Sequence, residues 1–187
     1  MGEPPAAVLA EGAAGGTADR LLPLLTAVPD HPVPGVVFRD ITPLLGDPGA
    51  LREAVGALAG LLPAGTDLVA GVEARGFVLG AAVAVAAGAG FVPVRKSGRL
   101  PREVLVESYE LEYGSAAVEV HADAVPAGSR VVVLDDVLAT GGTASAACRL
   151  VERAGGEVAA VVVLAEIGGL GGRDALAGRR VEALLTL

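Results

Sequence analysis

Aromatic side chains are scarce: three Phe, two Tyr and no Trp in 187 residues. Proteins that hold single-stranded nucleic acid stack its bases on aromatic rings, so that class is disfavoured. A lone cysteine, Cys148, excludes a disulfide framework within the chain and counts against a thiolate zinc site. Basic residues are outnumbered, 14 against 22 acidic ones, and the net charge of −8 argues against a face that grips a nucleic-acid duplex. Lysine is the rarer cation, with Lys96 alone beside thirteen Arg. The two histidines, His31 among prolines and His121 near a strand end, read as structural or exposed. Neither belongs to a Ser/His/Asp or Cys/His set.

What is present is mostly apolar. Hydrophobic residues make up 52% and charged ones 19%, a balance foreign to disordered chains. A chain of this length buries roughly 70% of its unfolded surface, enough for one real core. Gly76 to Val94 is a stretch of nineteen residues without a charge, the length of a membrane-spanning helix. It contains Gly76, Gly80, Gly88, Gly90 and Pro93, and much of the rest is Ala. The break at Ala87-Gly88-Ala89-Gly90 divides it into a helix-length and a strand-length piece. A buried soluble helix followed by a strand is therefore expected, with no membrane partner. The N-terminus has Glu3 and Glu11 and no basic residue before Arg20, which does not fit a secretory signal. A cytoplasmic address is the expectation.

Residues 1–17 read as a flexible tail and 18–187 as a single domain whose first part, 18–45, forms an arm or hood. Ala18 to Val28 reads as a short helix despite Pro23, and Pro29, Pro32 and Pro34 keep the chain extended up to Val36-Val37-Phe38. Helices are expected over Pro48–Leu62, Gly76–Ala87 and Thr143–Ala154. Buried strands are expected over Asp67–Val72, Phe91–Val94, Arg130–Leu134 and Val158–Leu164. Strands apolar throughout, alternating with helices, imply an α/β fold: an open, mostly parallel twisted sheet with helices on both faces. The segment from Arg95 to Val120 breaks the alternation. It carries Arg95, Lys96, Arg99 and Arg102, a knot of positive charge that on an acidic protein points to a small anion.

The most informative run is Val131-Val132-Val133-Leu134-Asp135-Asp136-Val137-Leu138-Ala139-Thr140-Gly141-Gly142-Thr143. An apolar strand ends, and small residues lead at once into a helix. Gly141 and Gly142 let backbone approach a ligand, Thr140 and Thr143 supply hydroxyls, and the helix start offers unpaired N–H groups. That combination suits phosphate. Asp135 and Asp136 repel phosphate, so they call for a vicinal diol or a divalent cation on the same ligand. Two other phosphate loops fail: Arg95 fills a glycine position required before Lys96-Ser97, and Gly88-Ala89-Gly90 lacks its third glycine.

The run Asp135 to Thr143 resembles the phosphoribosyl pyrophosphate (PRPP) motif of type I phosphoribosyltransferases. Other segments narrow the resemblance to the adenine phosphoribosyltransferases. Pro34-Gly35-Val36-Val37-Phe38-Arg39-Asp40-Ile41-Thr42-Pro43-Leu44 is similar to that family's base-recognition segment, and Gly71-Val72-Glu73-Ala74-Arg75-Gly76-Phe77 to its second block. Val94-Arg95-Lys96-Ser97-Gly98-Arg99-Leu100-Pro101 and Glu107-Ser108-Tyr109-Glu110-Leu111-Glu112-Tyr113-Gly114 resemble its mobile loop over the site. The match runs from about Pro29 to Ile167, in order.

The resemblance implies transfer of the phosphoribosyl group from PRPP to adenine, giving AMP and pyrophosphate with Mg2+, in a cytoplasmic homodimer. It implies that Ala139, Thr140, Gly141, Gly142 and Thr143 hold the 5′-phosphate while Asp135 and Asp136 hold the ribose hydroxyls. Arg75, Lys96 and Arg99 would neutralise pyrophosphate, with Tyr113 nearby. Mg2+ would be held mainly by PRPP, with Asp135 or Asp136 as protein ligands. Glu112 is the implied proton-transfer group, beside Arg75 and Lys96 in catalysis. Adenine would rest against Val37, Phe38 and Leu138, its edge read by backbone around Val37 to Arg39. Two departures bear on pyrophosphate affinity: Arg99 stands where relatives often carry Lys, and Ser97 where they are frequently basic. Transfer to another purine base, or a PRPP-sensing regulator without catalysis, remains open on these residues.

Overall fold

Strands that are apolar on both sides need a layer of helices on each side, and the computed structural model has that arrangement. It describes residues 11–31, 33–111 and 114–187. Helix α1 (Glu11–Leu21), a single 3-10 turn (Leu22–Leu24), strands β1 (Thr26–Val28) and β2 (Phe38–Asp40) and the short helix α2 (Thr42–Gly46) form the hood. Helix α3 (Pro48–Leu61) leads to strand β3 (Leu68–Val72), helix α4 (Arg75–Ala87) and strand β4 (Gly90–Lys96). A hairpin of β5 (Val104–Leu111) and β6 (Gly114–His121) follows. Strand β7 (Arg130–Leu138), helix α5 (Gly142–Arg153), strand β8 (Glu157–Glu166), a 3-10 turn (Asp174–Leu176) and β9 (Val181–Thr186) complete the chain. The main sheet has the order β5-β6-β4-β3-β7-β8-β9. Its core pairings, β4 with β3, β3 with β7, β7 with β8 and β8 with β9, are parallel, and the hairpin joins antiparallel through β6 on β4.

Side-chain alternation sorts each central strand between two layers. Val131 and Val133 of β7, with Val161 and Val163 of β8, pack under α5 and the hairpin. Val132 and Leu134, with Val162 and Leu164, face α3, α4 and the hood. Helix α3 starts where its sequence says it must: Pro48 is its first residue, and Asp47 accepts hydrogen bonds from the N–H groups of Gly49 (2.8 Å) and Ala50 (2.7 Å). Its fully buried stripe is Ala50, Ala54 and Leu58, with Leu51 and Val55 packed at the margin. Helix α4 lies close to the sheet because Gly71 has no side chain. A Cβ there would stand 2.6 Å from the Phe91 ring and 2.7 Å from the Gly76 carbonyl.

Three sequence expectations change. The tail boundary at residue 17 does not hold, because α1 begins at Glu11; its end is docked by buried Leu21 and by the Arg20–Glu53 ion pair to α3. Residues 1–10 of that expected tail lie outside the described residues. The helix expected over Ala18–Val28 stops at Leu21, and Pro23, which lacks an N–H, sits in a 3-10 turn that hands the chain to β1. Strand β7 continues through both aspartates to Leu138, because Val137 and Leu138 still pair with Ala165 and Glu166 of β8.

Leu134 is fully buried at the contact of β7 with the α4 layer. Leu134→Ala is expected to lower stability by about 3 kcal/mol, the usual loss for a large-to-small change in a closed core. Urea unfolding monitored by circular dichroism measures it, and an unchanged midpoint would contradict this packing.

Candidate active site

The chain leaves β3 and β7, which are neighbours, in opposite directions across the sheet. From β3 it passes through α4 to β4 on one side, and from β7 through α5 to β8 on the other. The two helices therefore cover opposite faces, and a crevice opens between the strand ends. The residues delivered there are Glu73 to Arg75 from β3, Lys96 from β4, and Asp135 to Thr143 from β7 and the start of α5. The hood closes the crevice with Gly35 to Arg39.

Ala139 to Thr143 wrap a small cavity of about 90 Å³ at the N-terminus of α5. Gly141 precedes the helix with φ of +81°, and no side chain caps the first N–H groups. These groups are left to an anion. Glycine is required at 141 on two counts: the positive φ, and a Cβ that would lie 2.6 Å from the Gly172 carbonyl. The Gly-rich loop 168–172, to which sequence reasoning assigned no role, is thus the wall behind the phosphate loop. It is tied in by Ile167 N–H donating to the Leu138 carbonyl at 2.9 Å.

Beside this cradle lies a larger cleft of about 800 Å³, the size of a small-molecule site. Arg75 is part of its lining. Its guanidinium pairs with Asp136 of β7 and lies 4.5 Å from the centroid of the Phe38 ring. His31 meets the same ring edge-on at 5.1 Å. Asp136 is 6% exposed, and Asp135 is partly buried, its Oδ1 accepting from Asp136 N–H at 2.9 Å. Burial, reinforced by the neighbouring Asp136 charge, pushes the Asp135 carboxyl well above the ordinary aspartate range. Glu73 sits under the cationic strand end, accepting from Lys96 N–H at 2.9 Å and from Arg95 Nε at 3.3 Å. Burial opposes its ionisation, but those two hydrogen bonds outweigh it and hold the carboxyl below its usual value.

A second carboxylate anchors the loop beyond β4. Glu119 of β6, only 2% exposed, accepts from the N–H groups of Gly98 (2.8 Å), Arg99 (2.7 Å) and Leu100 (2.7 Å). Burial again raises its cost of ionising, and the backbone donors with Ser97 overcome it, so its carboxyl is also held low.

The structure brings most of the expected residues together. Val37, Phe38, Arg39, Arg75, Lys96, Asp135, Asp136, Ala139, Thr140 and Thr143 line the cleft, and Gly141 and Gly142 the adjoining cradle. Leu138 is 2% exposed, packed in the core under α5, and borders the cradle, while its neighbour Val137 lines both the cradle and the larger cleft. Arg99 is exposed on the loop held by Glu119 and does not line the cleft. Glu112 and Tyr113 lie outside the described residues. Sequence reasoning missed Glu73, Tyr109, Ile167 and Leu170, which also line the cleft. The signal for Glu73 was its place at the end of a buried strand. Leu170, 47% exposed within a Gly-rich loop, left no periodic trace.

No group of three metal-ligating side chains occurs among the described residues. Asp136 is engaged by Arg75, and Asp135 is its only acidic neighbour in the strand. This donor set fits an ion such as Mg2+ that keeps its waters and takes most of its ligands from substrate phosphates.

A phosphoribosyl transferase domain model matches residues 50–179. An adenine phosphoribosyltransferase of Thermobifida fusca is 62% identical over 161 residues, covering 86% of this chain and 92% of that protein. The chain belongs to the adenine phosphoribosyltransferase family. The crystal structure of the Thermoanaerobacter pseudethanolicus member superposes with a TM-score of 0.89 at 45% identity, over 91% of this chain and 99% of that one. A Saccharomyces cerevisiae member, crystallised with adenine and an imino-altritol bisphosphate, gives 0.85 at 36% identity, over 91% and 99%. The fold is that of the type I phosphoribosyltransferases, with its mostly parallel sheet and flanking helices.

Glu119 generates a prediction at the level of stability. Replacing its charged oxygens by an amide in Glu119→Gln removes charge-assisted bonds to three N–H donors, an expected loss of about 2 kcal/mol at neutral pH. Because the folded carboxyl is held below its unfolded value of 4.5, the contribution is present above that value and lost as pH falls through the lower folded one. Denaturant midpoints of wild type and variant are expected to differ at neutral pH and to converge under acid. A gap independent of pH would remove the charge from the account.

Proposed function

We propose that the protein transfers the 5-phosphoribosyl group of PRPP to adenine, forming AMP and releasing pyrophosphate. The observation that carries this reading is the convergence on one cleft of three chemically different surfaces: a phosphate cradle, a pair of aspartates and a cationic strand end. Opposite them stands an apolar wall of Val37 and Phe38. A ligand with a terminal phosphate, a sugar diol and a second anionic group engages all three, and a flat purine fits the wall. The family relationship supports the same reaction, as does a yeast relative that binds adenine beside a bisphosphate.

In this reading the 5′-phosphate takes the N–H groups at the start of α5, and the ribose hydroxyls hydrogen-bond to Asp135 and Asp136. Once pyrophosphate has entered, Arg75 leaves Asp136 and the Phe38 ring to meet it together with Lys96. The move frees an aspartate for the sugar and a ring face for the base. Adenine packs between Phe38 and Val137, and β2, which pairs only with β1 among the described residues, offers its other edge to the base. Hydrogen bonding to that edge makes selection strict, since a mismatched base leaves buried groups unpaired. Displacement at the anomeric carbon builds positive charge on the ribose, which the two aspartates stabilise, and negative charge on pyrophosphate, which Arg75 and Lys96 stabilise. Mg2+, when bound, neutralises further pyrophosphate charge, with Asp135 or Asp136 as its protein ligand. Glu112 takes the purine proton, with Tyr113 next to it in sequence, and Arg99 stands on the segment between β4 and β5. The family resemblance extends to a homodimer, and the N-terminal composition favours a cytoplasmic address. No described helix is long and apolar enough to cross a membrane.

Incubation with PRPP, Mg2+ and a panel of bases, followed by chromatography, is expected to yield AMP from adenine and little product from hypoxanthine, guanine or xanthine. Binding of PRPP with no AMP formed would overturn the enzyme reading in favour of a sensor. For Glu112→Ala, turnover is expected to fall roughly 10²–10⁴-fold, the usual contribution of a positioned acid–base group, with PRPP binding retained. Wild-type turnover in that variant would take Glu112 out of the mechanism.

A further inference from the structure

Tyr109 has no part in the mechanism above, yet its phenol touches the phosphate loop. It sits on β5 in register with Ala116 of β6, and its ring packs against the cluster under α5. Its hydroxyl accepts a hydrogen bond from Thr143 Oγ1 at 3.1 Å, at the first turn of α5. Thr143 borders both the cradle and the larger cleft, and Tyr109 lines the latter. The strand that carries the phenol is fixed to the same helix: Glu107, two residues earlier on the same face, accepts from Arg149 Nε and from Arg153, each at 2.6 Å. The phenol is therefore held in place before any ligand arrives.

Two hydroxyls joined by one hydrogen bond keep one O–H proton uncommitted. Either oxygen can act as the donor within the pair, and in both arrangements one O–H is left over. The Tyr109 hydroxyl has no acceptor for its own proton among the described residues. The cleft it faces also holds the uncapped N-terminus of α5.

Resting on the PRPP reading, we propose that Tyr109 is a substrate-binding residue for the 5′-phosphate, donating its phenolic O–H to a phosphate oxygen while fixing the Thr143 hydroxyl beside it. The assignment is to the 5′-phosphate and not to pyrophosphate, because the partner of the phenol, Thr143, lines the cradle, whereas Arg75 and Lys96 do not. The hairpin then does more than extend the sheet: it supplies the side of the phosphate site that α5 cannot build alone.

The test is Tyr109→Phe, which keeps the ring and its packing. By calorimetry, AMP affinity is expected to fall about tenfold, the loss of one hydrogen bond to a charged acceptor, and the KM for PRPP to rise by a similar factor. Affinity for inorganic pyrophosphate, which lacks the 5′-phosphate, is expected to stay at the wild-type value. The variants Thr143→Val and Tyr109→Phe/Thr143→Val complete a cycle in which the double change costs no more than the larger single one. Unchanged AMP affinity in Tyr109→Phe, an equal loss for pyrophosphate or full additivity would each overturn the assignment. Failure of the wild-type protein to bind AMP would overturn the PRPP reading along with it, whereas wild-type binding with an unaffected variant rejects Tyr109 alone.

Discussion

The site is organised around the ion pair between Arg75 and Asp136. Arg75 opens α4, Asp136 belongs to β7, and the guanidinium lies on Phe38 of the hood, so one side chain ties three separate elements around the cleft. The pair also answers an electrostatic problem. Two adjacent aspartates at a strand end destabilise each other, and burial makes the conflict worse. Arg75 neutralises one, while burial and its neighbour raise the carboxyl of the other. With Asp136 paired, an anionic ligand can approach a site whose walls include two acids. The arrangement is partly exposed and exchangeable: Arg75 retains 35% of its side-chain surface. A fully sealed pair would be much harder to break, since removing a charge from a buried partner is expensive.

Topology explains why these groups meet at all. Only where successive connections leave neighbouring parallel strands in opposite directions does the sheet leave a gap between its covering helices. β3 and β7 are that pair. Each end is short of space in its own way. Gly76 at the start of α4 is held by the Leu134 carbonyl, which a Cβ would approach to 2.9 Å, and Gly141 by the Gly172 carbonyl. Small residues are required on both sides of the gap for packing, independently of what binds in it. The same residues then leave backbone N–H groups uncovered, so a packing requirement and an anion site coincide.

Much of this was legible in the sequence because local chemistry and global position agree there. Val131 to Thr143 reads as strand, acids, small loop and helix, and the structure contains those parts in that order. What could not be read were relations between segments distant in the chain. The family resemblance implies Leu138 as a base contact; the strand continues past the aspartates, so that Leu138 borders the core and the cradle while Val137 also lines the larger cleft. The Gly-rich loop 168–172 carried no pattern of its own, and its meaning lies in the close approach of Gly172 to Gly141. Glu73 and Glu119 have no role assigned from the sequence. Their function is to receive backbone N–H groups from β4 and the following loop, 23 residues from Glu73 and about 20 from Glu119.

Those two carboxylates also give the negative net charge a structural sense. The cations Arg95, Lys96 and Arg99 repel one another, and a loop carrying them would spread apart if only solvent opposed the repulsion. Glu73 and Glu119 hold it through its backbone, not by capping the ammonium of Lys96. A carboxylate bound to N–H groups stabilises the loop while leaving the Lys96 charge available to a ligand. Had the same acids paired directly with Lys96, the loop would be equally ordered, but pyrophosphate would have to compete for its cation. Arg95 does make that direct bond, to Glu73, and it is the one cation of the three whose guanidinium is turned back into the protein. An acidic chain can therefore present a local positive field because Glu73 and Glu119 hold this segment through its backbone N–H groups, and Lys96, the only lysine in the sequence, is left lining the cleft.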